Sequence, residues 1–367
     1  LRAIASEAEG CMDVEGCCSF DALVAWALPR GVMPAVVPPL KKVTVGGAIA
    51  GVGVAATSFR QGLVHHAMRE LEVRLPGGEV VTCTPDNAHR DLFFGFPNSH
   101  GCLGQAQRVR LATLPVRPFV HVRHGHYRDP QAFLAALARV CANDADFVDG
   151  MAFGTGEYVL SAARFADDVP WRSSYGVEPA YWQSLRERDE DYLATGDWLW
   201  RWDTDWSWYS RQFGAQRSLL RRVLGRWRGQ HRESVVQDVD IPLARAGEFL
   251  GFLQRALGTA PIWVCPVHGD RPGDRFPLYS LAQPLYVSFG FRDVPQVREP
   301  QEAGGFDRLV EEEARRLGGI KALHAGSHFT PGEFDGAYGG GAYRALKARY
   351  DPQGRAPELY DKCVARA

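Results

Sequence analysis

What this sequence lacks narrows its class before any motif is read. No apolar run among the 367 residues reaches the roughly 18 that a bilayer-spanning helix needs, and no signal-peptide pattern is visible. Neither charge is in surplus. Lys and Arg number 42, Asp and Glu 43, and the net charge is −1, so no basic excess points to nucleic acid as a partner. Cysteine is sparse: eight are scattered, only Cys17 and Cys18 are close together, and no pair has zinc-ligand spacing. No metal site is expected. A chain of this length needs no disulfide framework, so the thiols are expected to be reduced and the protein cytoplasmic. What is present is ordinary for a globular chain, 46% hydrophobic and 23% charged, with enough length for two domains.

One stretch stands apart. Lys42–Ser58 reads KVTVGGAIAGVGVAATS, with Gly46, Gly47, Gly51 and Gly53 among small and β-branched residues. Glycine lets a bulky ligand approach the main chain, and such a run offers backbone N–H groups to a phosphate or a flat ring. Three readings compete. Gly51–Ala56 fits the dinucleotide fingerprint GxGxxA, but the acids Glu70 and Glu72 stand at the start of the next strand, where the fingerprint wants one at its end. The stretch could instead be a glycine-rich hairpin that binds nothing. The third reading is a flavin-contacting segment. Thr44–Ala50, T-V-G-G-A-I-A, resembles the one in flavoproteins of the vanillyl-alcohol-oxidase type.

Around this stretch the pattern predicts alternating elements. A strand is expected over 11–16, then a helix over 21–28 capped by Ser19 and ended by Gly31. The proline-containing segment 32–39 is extended. Strands over 69–75 and 79–83 meet at Pro76-Gly77-Gly78. A short helix begins at Asp91, a second glycine turn covers Ser99–Gly104, and a strand covers 106–114. Beyond Pro118 come a strand over 119–126, an amphipathic helix over 130–141, and strands over 147–153 and 157–165. Helices over 243–257 and 305–317 follow. In the latter, Glu311/Arg315 and Glu312/Arg316 have the spacing of surface ion pairs.

The order of motifs resembles one family within that flavoprotein group, the Δ24-sterol reductase (Diminuto) family. Its T-V-G-G, G-L-x-x-H, strand-G-G, R-C-T-P, D-L-F and S-x-G-x-L-G segments have counterparts at Thr44–Gly47, Gly62–His66, Leu75–Gly78, Thr82–Pro85, Asp91–Phe93 and Ser99–Gly104. Val235–Asp238 (V-V-Q-D), Pro261–Pro266 (P-I-W-V-C-P) and the ending Pro357–Lys362 extend the likeness. It spans nearly the whole chain and is weakest over 121–192.

The resemblance implies an α+β fold of two domains. Residues 1–117 would form the second half of a PCMH-type FAD-binding module, 118–321 a substrate or cap domain, and 322–367 a tail returning to the first. It implies non-covalent FAD held by Thr44, Val45, Gly46, Gly47, Ala48, Ile49, Gly51, Gly53, Ser58, Gly101, Leu103 and Gly104. His65 and His66 follow the flavin loop without being linked to it. Reduced FAD would pass a hydride to a C=C bond of a sterol-like or other lipid substrate, with NADPH as electron donor. His324, where the family has tyrosine, is a candidate proton donor; Gln237 and Asp238 would face the ring, and Lys362 the flavin or substrate edge. The family's FAD module starts well before the counterpart of Leu1, and no match to its arginine- and glycine-containing pyrophosphate loop lies upstream of Gly31. A chain of only this extent is therefore expected to bind FAD weakly. A flavin oxidase or dehydrogenase of a polyol or lipid-linked sugar, and a remnant without catalysis, stay open as alternatives. The segment 197–232, rich in Trp and then Arg, could serve as cap core, apolar entrance or peripheral membrane contact.

Overall fold

The structure, a computed structural model, describes residues 7–8, 10–176, 180–203, 231–232, 235–258, 261–274, 276–293, 296–297 and 304–364. Two antiparallel sheets and their covering helices make an α+β architecture. In the first sheet, β1 (Glu7–Ala8), β2 (Cys11–Glu15), β4 (Met68–Arg74), β5 (Val80–Cys83) and β6 (Gln105–Pro115) run in the order β1-β2-β6-β4-β5, and β3 (Val32–Pro34) also pairs with β6. The β4–β5 hairpin closes at Pro76-Gly77-Gly78. Leu71 and Val73 point inward from β4 and Arg74 outward, the period-two alternation of a half-buried strand.

The second sheet has eight strands. It contains β7 (Phe119–Tyr127), β8 (Phe147–Gly154), β9 (Glu157–Ala166) and β10 (Glu190–Ala194). After a separate pair made by β11 (His231–Arg232) and β15 (Gln296–Val297), it adds β12 (Val235–Pro242), β13 (Ile262–His268), β14 (Leu285–Asp293) and β16 (Ile320–Lys321). Their order is β10-β7-β9-β8-β13-β14-β12-β16. Helices Pro130–Cys141, Leu243–Phe252 and Gly305–Arg316 cover one face. Phe133, Leu137, Phe249, Leu250, Val310 and Ala314 pack there on Val148, Val239, Val264 and Phe289. The helix over 243–252 tightens no further but widens into a π turn over Leu253–Leu257, where sequence periodicity predicts uninterrupted α-helix.

The opposite face carries a different row. Asp238 pairs with Gly290, Gly290 with Trp263, and Trp263 with Met151, so four neighbouring strands place these residues side by side. Side chains in one such row project to the same face. The two lobes meet beside this row. The Val148 amide donates to the Ala56 carbonyl at 2.8 Å, and the Cys265 thiol to that of Ala55 at 3.2 Å.

The glycine stretch departs from expectation. Val45–Ala50 is a short helix, capped by Thr44 Oγ1, which accepts from the Gly47 amide at 3.2 Å. Helical turn places Val45, Ala48 and Ile49 in the core and leaves Gly46 and Gly47 on the outside. The amides are not a free cradle. Those of Val45 and Gly46 donate to the Cys18 and Gly16 carbonyls, and those of Ala48 and Gly51 to helix carbonyls. Backbone N–H groups near a core must be paired, and helix formation pairs them.

The expected surface pair Glu311/Arg315 also fails. Glu311 is fully buried and grips the Lys321 ammonium at 2.8 Å, while Arg315 turns to Glu333 at 2.7 Å. Arg316 meets Glu313 and Glu248 in place of Glu312, which pairs with Arg308. The charges are shared with neighbouring elements that helix spacing alone does not reveal. Past β16 the chain crosses to the first lobe. Helix Gly340–Tyr350 sets Lys347 against the Cys102 carbonyl and Asp351, and Tyr350 hydroxyl donates to Asp91 at 2.7 Å.

Candidate functional site

A cavity of about 1010 Å³ lies between the glycine stretch and the Asp238–Gly290–Trp263–Met151 row. Its floor is main chain: Gly46, Gly47, Gly51, Gly53 and, from the second glycine turn, Gly101 and Gly104. A Cβ built on Gly53 would come within 2.8 Å of Val64 and 3.1 Å of Pro38, so only glycine lets the chain pass there. Two non-glycine residues of the floor hold left-handed backbone, Val52 at φ 53° and His100 at φ 48°. For a β-branched residue that is strained, and strain of this kind gathers at functional sites. The turn 98–101 is fastened to the end of the short helix: the Asn98 and His100 amides donate to the Ile49 and Ala50 carbonyls.

The wall and one end are polar and apolar in turn. Met151, Trp182, Trp202 and Trp263 make the apolar part. At the other part, His324 Nε2 lies 2.7 Å from Asp238 Oδ2, with both side chains partly open to the cavity. Burial alone would lower the His324 pKa, but the hydrogen bond and charge of Asp238 outweigh it and hold the imidazole above its ordinary value. Asp238 therefore favours the protonated imidazole. His100, also on the cavity, is pushed down to about 4 by burial and by the neighbouring His324 and Lys362 cations, and stays neutral. Lys362, from the short helix Leu359–Cys363, donates to the His100 carbonyl at 2.5 Å.

The expected site residues thus divide. Gly46, Gly47, Ala48, Gly51, Gly53, Gly101, Gly104, Asp238, His324 and Lys362 line the cavity together. Thr44 caps the helix, and Val45, Ile49 and Leu103 are fully buried in the core. Ser58 is buried as well, its Oγ accepting from the Ala55 amide at 2.9 Å. Gln237 stands at the cavity edge, but its side chain leaves the opposite face of β12 from Asp238. Its amide donates to Asp307 at 2.6 Å on the covering helix. His65 and His66 lie outside the lining; His65 is fully buried, and His66 Nε2 sits 3.1 Å from Asp270. Sequence reading missed Met151, Trp182 and Gly290. It quoted Trp263 and His100 within motifs but gave them no role. Of the Trp- and Arg-rich segment, Trp198 is buried and Trp202 lines the cavity, whereas 204–230 lies outside the described residues.

Gly290 leaves no room for a side chain in the wall. A Cβ there would meet Asp238 Oδ1 at 2.9 Å and the Trp263 ring at 3.2 Å. Gly290→Ala is expected to push the carboxylate off His324. NMR titration should then show the imidazole pKa falling, with turnover reduced about 10- to 100-fold.

The residues fit a flavin. Gly47 is exposed and on the cavity, and a Cβ built on it would meet only Thr44 Oγ1, so a planar ring can reach the helix main chain, and the volume exceeds what one small ligand fills. Comparison with known proteins agrees. A family model described as an FAD binding domain matches residues 2–84. The mouse Delta(24)-sterol reductase is 27% identical over 375 residues, covering 94% of this chain and 71% of the mouse protein. The human protein of that name is 26% identical over the same shares. That of Arabidopsis thaliana is 26% identical, over 65% of this chain and 50% of the plant protein. With the cavity, these likenesses make the chain an FAD-dependent oxidoreductase homologous to the Delta(24)-sterol reductases.

Proposed function

We propose that the chain saturates a carbon–carbon double bond in a sterol-like or other lipid substrate, with NADPH as the electron donor. Bound FAD in its reduced form supplies the hydride. The chain's own residues hold the alkene, keep water out and deliver a proton to the second carbon. The observation that carries this reading is the pairing of an apolar wall with one imidazole held by a carboxylate. Asp238 holds His324 Nε2, so Nδ1 is the nitrogen assigned to give the proton. Asp238 orients the ring and keeps it charged until the proton leaves. The side chain of His324 is 42% exposed, so it can be reprotonated from solvent between turnovers.

The wall favours this reading over a polyol oxidase. Trp202 and Trp263 point their indole N–H groups at Asp149, which is buried and not part of the lining, so they offer ring carbons to the ligand. A polyol would find few partners there, and leaving its hydroxyls unpaired is costly. The test is anaerobic. NADPH is expected to bleach the flavin absorbance, and a Δ24-unsaturated sterol to restore it with formation of the saturated product. Bleaching by sorbitol, with no response to NADPH, would overturn the reading.

A further inference from the structure

Behind the apolar wall sits a charge that the reaction does not use. Asp149, on β8, is fully buried; it lies two residues before Met151 and so on the same face of the strand. Its Oδ2 accepts from three donors: the Arg201 guanidinium, Trp202 Nε1 at 2.9 Å and Trp263 Nε1 at 3.3 Å. Its Oδ1 has no hydrogen-bond partner among the described residues. Arg201 is also buried, sits with Cζ over the Trp198 ring 3.4 Å from its centroid, and donates to the Trp198 carbonyl at 2.8 Å. Two buried charges are costly to keep, and an all-apolar filling would serve stability at least as well. Something other than stability accounts for them.

The two indoles come from distant parts of the chain, Trp263 from β13 and Trp202 from the turn after Leu199. One rides on the sheet; the other hangs from a loop. A shared acceptor ties the loop ring to the sheet ring, with centroids 6.5 Å apart and planes tilted by 65°. We propose that Asp149, held by Arg201, is a positioning residue that fixes Trp202 and Trp263 as the two faces against which the rigid apolar part of the substrate lies. The inference rests on the lipid reading above and deepens it. Without the tether, Trp202 could turn its N–H into the cavity and close part of the space the ligand needs. The carboxylate therefore acts on fit of the substrate and takes no part in moving hydride or proton.

The test uses the FAD-loaded protein and 1-pyrenemethanol, a flat neutral polycycle whose own emission reports binding. Trp202→Phe with Trp263→Phe replaces each indole by a phenyl ring, removing both N–H tethers while leaving the ion pair intact. It is expected to raise the Kd for the probe about tenfold and the KM for the alkene in step. FAD content should be unchanged, and the loss should fall on KM more than on kcat. Asp149→Leu with Arg201→Leu removes the ion pair and should give the same rise. Adding it to the tryptophan variant should give no further rise, because both act through one contact. If the leucine variant does not fold, the tryptophan variant decides alone. Wild-type binding that the tryptophan variant preserves overturns the anchor and leaves the lipid reading standing. Failure of the wild-type protein to bind the probe overturns both.

Discussion

His324→Ala should lower turnover by about 10²- to 10⁴-fold, the range a positioned general acid supplies. FAD content should be unaffected, because glycine main chain, not His324, makes the floor. The pH profile carries the sign. Burial pulls the imidazole down, but Asp238 more than compensates, so the folded-state pKa lies above that of the unfolded chain. Activity should hold on the acid side of that raised value and fall as pH climbs through it. The contribution of the pair to stability follows the same direction: complete below the unfolded pKa, lost as pH rises through the folded one. Asp238→Asn removes the charge that does this. The descending limb should then move to lower pH, a shift read directly from the rate profile. A limb that stays in place would assign the proton to another group.

Glu311→Ala is expected to be the most damaging change away from the cavity, costing about 3–5 kcal/mol. Lys321 is 1% exposed and Glu311 0%, so the alanine variant strands an ammonium in the interior. It also removes the acceptor of the His328 amide, which now donates to both carboxylate oxygens at 2.9 and 3.1 Å. Urea denaturation should show the midpoint fall steeply. Glu311→Ala with Lys321→Met should recover much of the loss, since no unpaired charge then remains. Glu312→Ala offers the contrast. Its partner Arg308 is bound more closely by Glu333, and the pair is half open to water, so less than about 1 kcal/mol is expected. The segment joining Lys321 to His328 contains His324, so the buried pair also holds the proton donor in place.

Much of the architecture was legible because it rests on local periodicity. The helix Pro130–Cys141 begins at a proline after Asp129, whose carboxylate accepts from the Ala132 amide, and its apolar side recurs at helical spacing. The β4–β5 hairpin announces itself through alternation and a proline-glycine turn. His324 and Asp238, 86 positions apart in number, were each found through motif order, yet nothing local says that they touch. The wall was less visible still. Met151 lies in a strand buried on both faces, where no alternation marks the side that meets a ligand. Gln237 shows the reverse error. Adjacent to Asp238, it was read as its companion, but a strand turns neighbours to opposite faces.

Sequence alone determined the class of cofactor, the order of the elements and the identity of the small residues that must leave the main chain bare. Those depend on short-range sterics and on motif order, which are written along the chain. Tertiary structure decided which amides were already used, which carboxylate holds His324 charged, and that one buried oxygen ties two distant indoles together. Each of these is an electrostatic or hydrogen-bonded contact between segments far apart in number. Its strength comes from exclusion of water, which exists only once the lobes have closed.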